Sequence, residues 1–221
     1  MNEELTHISN QAFRRMPYYL EFLKRQRDLG QERVSSSVVA SHFGFTNIQV
    51  RKDFAAVSKE SGRPRLGFLI SSLIDNMEKL LGYHNLNYAA LVGAGQLGKA
   101  LLSYKGFKNY GLNIIAAFDN DPAAIGTTVG ECEIHPASKT AEICRRLGVQ
   151  IGIITVPSPA AQSACDALIA GNVKGIWNFA QTPILTPPGI LVQNENMAAS
   201  LAMLSKHLKD KLDAGDARGI F

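Results

Sequence analysis

The sequence predicts an α/β chain in two parts, a small helical domain followed by a larger domain built on a parallel sheet. Three observations predict it. Helical periodicity and clustered cations fill the first third, and short aliphatic runs alternate with amphipathic helices from about residue 88 onward. The third is composition: 221 residues, 46% of them hydrophobic and 19% charged, hold enough apolar side chains for two separate cores.

The same composition excludes several classes. No apolar run approaches the roughly 18 residues a membrane span needs, and Met1-Asn2-Glu3-Glu4 lacks the basic and apolar regions of a signal peptide. A cytoplasmic protein without a membrane partner is expected. Cys132, Cys144 and Cys165 are an odd number without C-x-x-C spacing, which predicts buried free thiols in a reducing compartment. The five histidines are scattered, so no metal is assigned.

From Arg14 to Leu29, Met16, Leu20 and Leu23 recur at helical spacing, and Gly30 ends the helix. Val34-Ser35-Ser36-Ser37 offers hydroxyl caps for a second helix over Val38 to Phe43. Gly44-Phe45-Thr46 makes a tight turn into a third helix over Asn47 to Phe54, completing a helix-turn-helix pattern. Ile48, Val50 and Phe54 are expected to face inward. Asn47, Gln49, Arg51 and Lys52 then project toward bases and phosphates, helped by Ser35, Ser36 and Thr46.

Net charge is only +4, but the excess is local. Arg51, Lys52, Lys59, Arg63 and Arg65 stand against Asp53 and Glu60 within residues 46–65, which fits a polyanion such as double-stranded DNA. Ser58 to Gly67 has the glycine-bounded, basic character of a hairpin wing, placing Lys59, Arg63 and Arg65 among the DNA-contacting residues. A further amphipathic helix lies within residues 71–87, carrying Leu73, Ile74, Met77, Leu80 and Leu81 and ended by Gly82 and a polar stretch.

Tyr88 to Val92 reads as a buried strand, followed at once by Gly93-Ala94-Gly95-Gln96-Leu97-Gly98. That is G-x-G-x-x-G between strand and helix, the setting in which it cradles a pyrophosphate over a helix N-terminus. A second strand, Leu112 to Phe118, ends at Asp119, about 20 residues after Gly98, with Asn120 beside it. A carboxylate there accepts both ribose hydroxyls of an adenosine and repels a 2′-phosphate, favouring NAD(H) over NADP(H). Ile151 to Val156 and Lys174 to Asn178 read as further strands around a helix from Ala160 to Ala170. Thr155, Val156, Pro157 and Ser158 then lie at a strand's carboxyl end, where they can line the nicotinamide side; Ser158 could equally cap the next helix. A final helix from about Asn194 carries Met197, Leu201, Leu204 and Leu208, a stripe that fits either a partner subunit or its own domain.

Taken in order, Val34-Ser35-Ser36, Gln49-Val50-Arg51-Lys52-Asp53, Ala90 to Gly95, Ala116 to Asp119, Thr155-Val156-Pro157 and Trp177-Asn178-Phe179 resemble the Rex redox-sensing transcriptional repressors of bacteria. The likeness spans about residues 8–208. It implies a winged-helix domain over residues 1–83 and a Rossmann domain, a doubly wound parallel sheet, over 84–193. It also implies a domain-swapped dimerisation helix over 194–212, with a tail over 213–221. Such proteins are homodimers that hold a pseudo-palindromic operator with NAD⁺ and release it as NADH rises.

Four positions bear on that switch. In the family an Asp on the swapped helix exchanges partners between an Arg near the start of the first helix and a Tyr after the wing. Arg14 and Arg15 stand in the Arg region here, but the Asp position reads Asn196 and the Tyr position Phe68. An Asn–Arg pair is weaker than a charge-assisted one, so a weakened or rewired NADH response is the alternative expectation. Two other readings remain open at this point. One is a small NAD-dependent dehydrogenase, which lacks an evident acid/base, since only Lys174 among His, Lys and Tyr falls within residues 155–182. The other is an adenine ligand of a different kind, such as coenzyme A.

Overall fold

The computed structural model describes residues 8–58 and 67–216, without the side chains of 214–216. The described residues fall into two compact units. One takes those up to Asn85 with Asn109–Gly111, the other Leu86–Lys108 and those from Leu112 onward.

In the first unit α1 (Asn10–Asp28) begins where the Ser9 hydroxyl accepts from Ala12 N at 3.2 Å, four residues ahead of the apolar periodicity, and continues through Pro17. Short strands β1 (Arg33–Val34) and β2 (Phe68–Leu69) pair antiparallel on either side of α2 (Ser36–Phe43) and α3 (Asn47–Val57). The Ser35 and Thr46 hydroxyls cap α2 and α3 by accepting from Val38 N and Gln49 N. Gly44, at φ +69°, supplies the left-handed turn between the two helices. Then α4 (Ile70–Leu81) closes the unit, with Gly82 as its left-handed C-cap. Met16, Tyr19, Leu23, Val50, Phe54 and Met77 form a fully buried core with edge-to-face aromatic pairs around Tyr19 and Phe54.

One inward assignment is corrected. Ile48 is 65% exposed, whereas the buried face of α3 is Val50, Asp53, Phe54 and Val57. Ile48 and Val50 are two residues apart, about 200° around a helix, and cannot share a face.

The second unit carries a seven-stranded sheet of order β5-β6-β4-β3-β7-β8-β9. Its strands are β3 (Asn87–Val92), β4 (Leu112–Asp119), β5 (Thr128–Val129), β6 (Cys132–Pro136), β7 (Ile151–Ile154), β8 (Gly175–Asn178) and β9 (Leu191–Asn194). All neighbours are parallel except the β5–β6 hairpin. The order turns back at β3, with β4 on one side and β7 on the other, so the crevice between the carboxyl ends of β3 and β7 is the switch point of a doubly wound sheet.

Alternation along β3 divides two cores. Ala90 and Val92 face α6 (Thr140–Leu147) and α7 (Ala161–Ala170), packing with Cys144, Cys165 and Leu168. Ala89 and Leu91 face the side of α5 (Gln96–Ser103), where Leu101, Leu112, Ile151, Trp177 and Phe179 are only half-buried. That side of the sheet is thinly covered.

Elements near the C-terminus differ from the sequence pattern. Residues Leu191–Asn194 form edge strand β9 on β8, so α8 starts at Met197 and runs to Asp216, into the segment expected to be a tail. Met197, Leu201, Leu204, Leu208 and Leu212 all lie exposed on it, so docking on its own domain is not what the structure shows.

The three cysteines are buried and unpaired. Burial pushes the Cys144 thiol up to about 11 from 9.0. Its neutral form is favoured in the folded state, so stability is complete below pH 9 and falls as pH rises toward 11, where the unfolded chain has already lost the proton. Urea unfolding across that window is expected to show the fall, and Cys144→Ala to reduce it. Phe54→Ala, opening a cavity beside Tyr19 and Phe68, is expected to cost about 3–5 kcal/mol in the same assay.

Candidate nucleotide and DNA sites

The cradle begins with backbone. Gly93 stands at φ +104°, and a Cβ there would press on the Thr155–Val156 peptide at 2.8 Å. A Cβ on Gly98 would fall on the Gly93 carbonyl, so α5 can start this close to β3 only with glycine at 98, while the positive φ at 93 asks for glycine there. Gly95, by contrast, faces open space. Gly95, Gln96 and Leu97 are exposed at the lip, whereas Gly93, Ala94 and Gly98 are buried. An opening of this kind, above first-turn amides that no helix can satisfy internally, suits a pyrophosphate.

Asp119 is brought to the same point. Its Oδ2 accepts from Ala94 N at 2.6 Å, and Oδ1 accepts from Asn120 N and Asp121 N at 2.7 and 2.9 Å. These bonds orient the carboxylate beside the glycine loop and occupy three of its roughly four lone-pair sites, leaving one on Oδ2 for a ribose hydroxyl. Thr155 arrives from β7: its hydroxyl donates to Gly93 O at 2.7 Å and to Val92 O at 3.2 Å. Val156 is half-buried, and Pro157 and Ser158 are exposed. No side-chain cap bond is made at the start of the short turn at Ser158 or of α7, so Ser158 is not the helix cap.

Sequence reasoning missed the clamp at the neighbouring strand end. Asn178 is fully buried, donating to Asn194 Oδ1 and Thr182 O and accepting from Ala180 N. Trp177 Nε1 donates to Glu195 Oε1 at 2.9 Å. Asn196 caps α8 through a bond from Ala199 N to its Oδ1 at 2.9 Å. A lone polar residue in an apolar run, Asn178 between Trp177 and Phe179, is the available signal.

On the helical unit, Arg51 and Lys52 project fully, Asn47 is exposed, and Gln49 is half-buried. Asn47 Oδ1 accepts from Ser36 Oγ at 2.5 Å, tying the start of α3 to α2. Lys59, Arg63 and Arg65 lie outside the described residues. Asp53, next to the two cations, points the other way and is 5% exposed. It accepts a bidentate pair from Arg15, at 2.8 and 2.9 Å, and a third bond from Tyr19 Oη at 2.9 Å. The Arg15–Asp53 hydrogen bonds and the attraction of the carboxylate raise the Arg15 pKa further against the effect of burial, while burial first and Asp53 second push the Tyr19 phenol well up. The carboxylate fixes the rotation of α3 about its axis, and so where Arg51 and Lys52 point.

The expected switch residues are therefore already occupied. Arg15 is bound by Asp53, Phe68 is buried edge-to-face on Phe54 at 5.2 Å, and Asn196 caps a helix; Arg14 is exposed. Among the described residues no cluster of His, Cys, Asp and Glu could hold a metal, and no helix is long and apolar enough to cross a membrane.

A helix-turn-helix unit joined to a Rossmann unit with an Asp-terminated glycine cradle defines a nucleotide-binding DNA regulator. Comparisons agree with both halves. A family described as "Putative DNA-binding protein N-terminus" matches residues 7–55, and one described as "CoA binding domain" matches residues 85–182. Redox-sensing transcriptional repressor Rex of Porphyromonas gingivalis is 38% identical over 92% of this chain and 93% of its own. Rex of Bacteroides fragilis is 36% identical over 94% and 96%. RSP, solved with β-NAD⁺ and operator DNA, superposes at a TM-score of 0.85 with 27% identity, covering 97% of this chain and 99% of that one. RSP solved with β-NADH gives 0.83 at 26%, covering 96% and 99%. The chain belongs to the Rex family of redox-sensing transcriptional repressors.

Asp53→Ala is expected to leave Arg15 and Tyr19 without their acceptor and to cost about 3–5 kcal/mol by denaturant unfolding. Asp53→Asn, which keeps one acceptor oxygen, is expected to cost less.

Proposed function

We propose that the chain is a cytoplasmic repressor that holds a pseudo-palindromic operator with NAD⁺ or without ligand and releases it as NADH rises. The observation that carries this reading is the cradle ending in Asp119 on the same chain as an α3 that presents Arg51 and Lys52. Glycines clear the way for pyrophosphate, Asp119 takes the adenosine ribose, and Thr155, Val156, Pro157 and Ser158 flank the nicotinamide. A reduced nicotinamide carries no charge and enters a tight apolar site at less desolvation cost than NAD⁺. Tighter binding to one dimer arrangement then shifts the population toward it.

A homodimer is part of the proposal. The leucine stripe of α8 and the thinly covered α5 face of the sheet are both apolar surfaces that a single chain leaves uncovered. A regulator fits better than a dehydrogenase, because Lys174, the candidate acid/base amine, precedes β8 at the amino end of the sheet, away from the cradle. The coenzyme A alternative is disfavoured by Asp119, which suits a free ribose and repels the 3′-phosphate of that ligand.

A second reading within the family is favoured by one observation: Arg15, Phe68 and Asn196 are each engaged in packing or capping. On that reading NADH-driven release is weak. Fluorescence anisotropy of operator binding with NAD⁺, with NADH and without ligand separates the two. The expected result is lower operator affinity with NADH, and a larger drop in the Asn196→Asp, Phe68→Tyr double variant. An unchanged affinity despite calorimetrically measured NADH binding rejects release and leaves the second reading.

Asp119→Ala is expected to weaken NADH binding at least tenfold by calorimetry, consistent with the loss of one charge-assisted hydrogen bond to a ribose hydroxyl. Arg51→Ala and Lys52→Ala are expected to weaken operator binding and lower its salt dependence by about one ion each in gel shifts at several salt concentrations.

A further inference from the structure

We propose that Ile48 reads thymine, its side chain packing on the C5 methyl of a thymine in each operator half-site. The inference deepens the DNA-binding reading above and rests on it. Ile48 occupies the second position of α3, two residues after the Thr46 cap, in the turn of a recognition helix that meets base edges. It is 65% exposed and stands outside the core. Arg51 and Lys52 follow it at i+3 and i+4, on the same helix face, and both are exposed.

That arrangement selects a ligand. An apolar side chain flanked by two cations does not match a hydrophobic protein surface, which would have to strip water from both charges. It matches a polyanion that also displays an apolar group between its charged edges. In the major groove of DNA that group is the thymine methyl. The bond from Ser36 to Asn47 and the Asp53 clamp hold the start and the rotation of α3, so Ile48 is presented on a rigid element.

The experiment uses the full-length protein and an operator that it selects from a randomised duplex pool. Each thymine of the selected half-site is replaced by uracil, which removes only the methyl. At one or two positions the native protein is expected to lose roughly fourfold in affinity per half-site, the worth of one buried methyl. Ile48→Ala is expected to bind the thymine and uracil duplexes equally at those positions, with NADH affinity and thermal midpoint unchanged. Ile48→Val, which keeps a methyl pair, should retain part of the discrimination. Identical uracil profiles for the native protein and Ile48→Ala, or no position at which the methyl matters, would overturn the proposal. Failure of the pool to yield any preferred duplex would overturn the DNA-binding reading itself and the proposal with it, an outcome distinct from the first.

Discussion

The approach of α5 to the end of β3, backbone against backbone at Gly93 and Gly98, is the constraint on which the nucleotide site depends. A side chain at Gly98 would drive the helix off the Gly93 carbonyl, and one at Gly93 would press on the Thr155–Val156 peptide that brings Thr155 to the cradle. Asp119 reaches Ala94 N from β4, and Thr155 reaches Gly93 O from β7, so three adjacent strand ends converge on one dipeptide. A doubly wound sheet places its opening there because the helices after β3 and β7 lie on opposite faces. On the proposed function, the first-turn amides serve phosphate and the carboxylate a ribose hydroxyl.

The helical unit solves a similar problem with charge instead of close approach. An α3 that must show cations to DNA cannot be held by its exposed face, so its hold comes from Asp53 beneath. One carboxylate with three donors is costly to bury but tolerable when every lone pair that matters is engaged. Arg51, Lys52 and Asp53 are consecutive, yet the helical turn sends two of them out and one in.

The sheet of the second unit is covered unequally, richly by α6 and α7 and thinly by α5, while α8 displays leucines to solvent along its length. Surfaces of this kind are stable in a cell when something covers them. Trp177–Glu195 and Asn178–Asn194 fasten the root of α8 to β8, so its starting point is set by the strand that ends beside the cradle.

Much was legible without coordinates. The glycine spacing, the aliphatic run before it and Asp119 at the end of the next run placed the cradle, because a tight turn and a ribose acceptor each demand particular residue types at particular offsets. Ser35 is legible as a cap from the hydroxyl run before α2, whereas Thr46, which caps α3, is legible only as a polar residue after the glycine turn. What tertiary structure alone decided were pairings between distant segments: Arg15 and Tyr19 on Asp53, Trp177 on Glu195, β9 on the sheet edge, and Phe68 in the core. It also decided that Ile48 faces out. Local sequence records period and turn chemistry, and these set where the backbone bends; which side chain a buried polar group meets depends on how separate segments are brought together, and no local pattern carries that information.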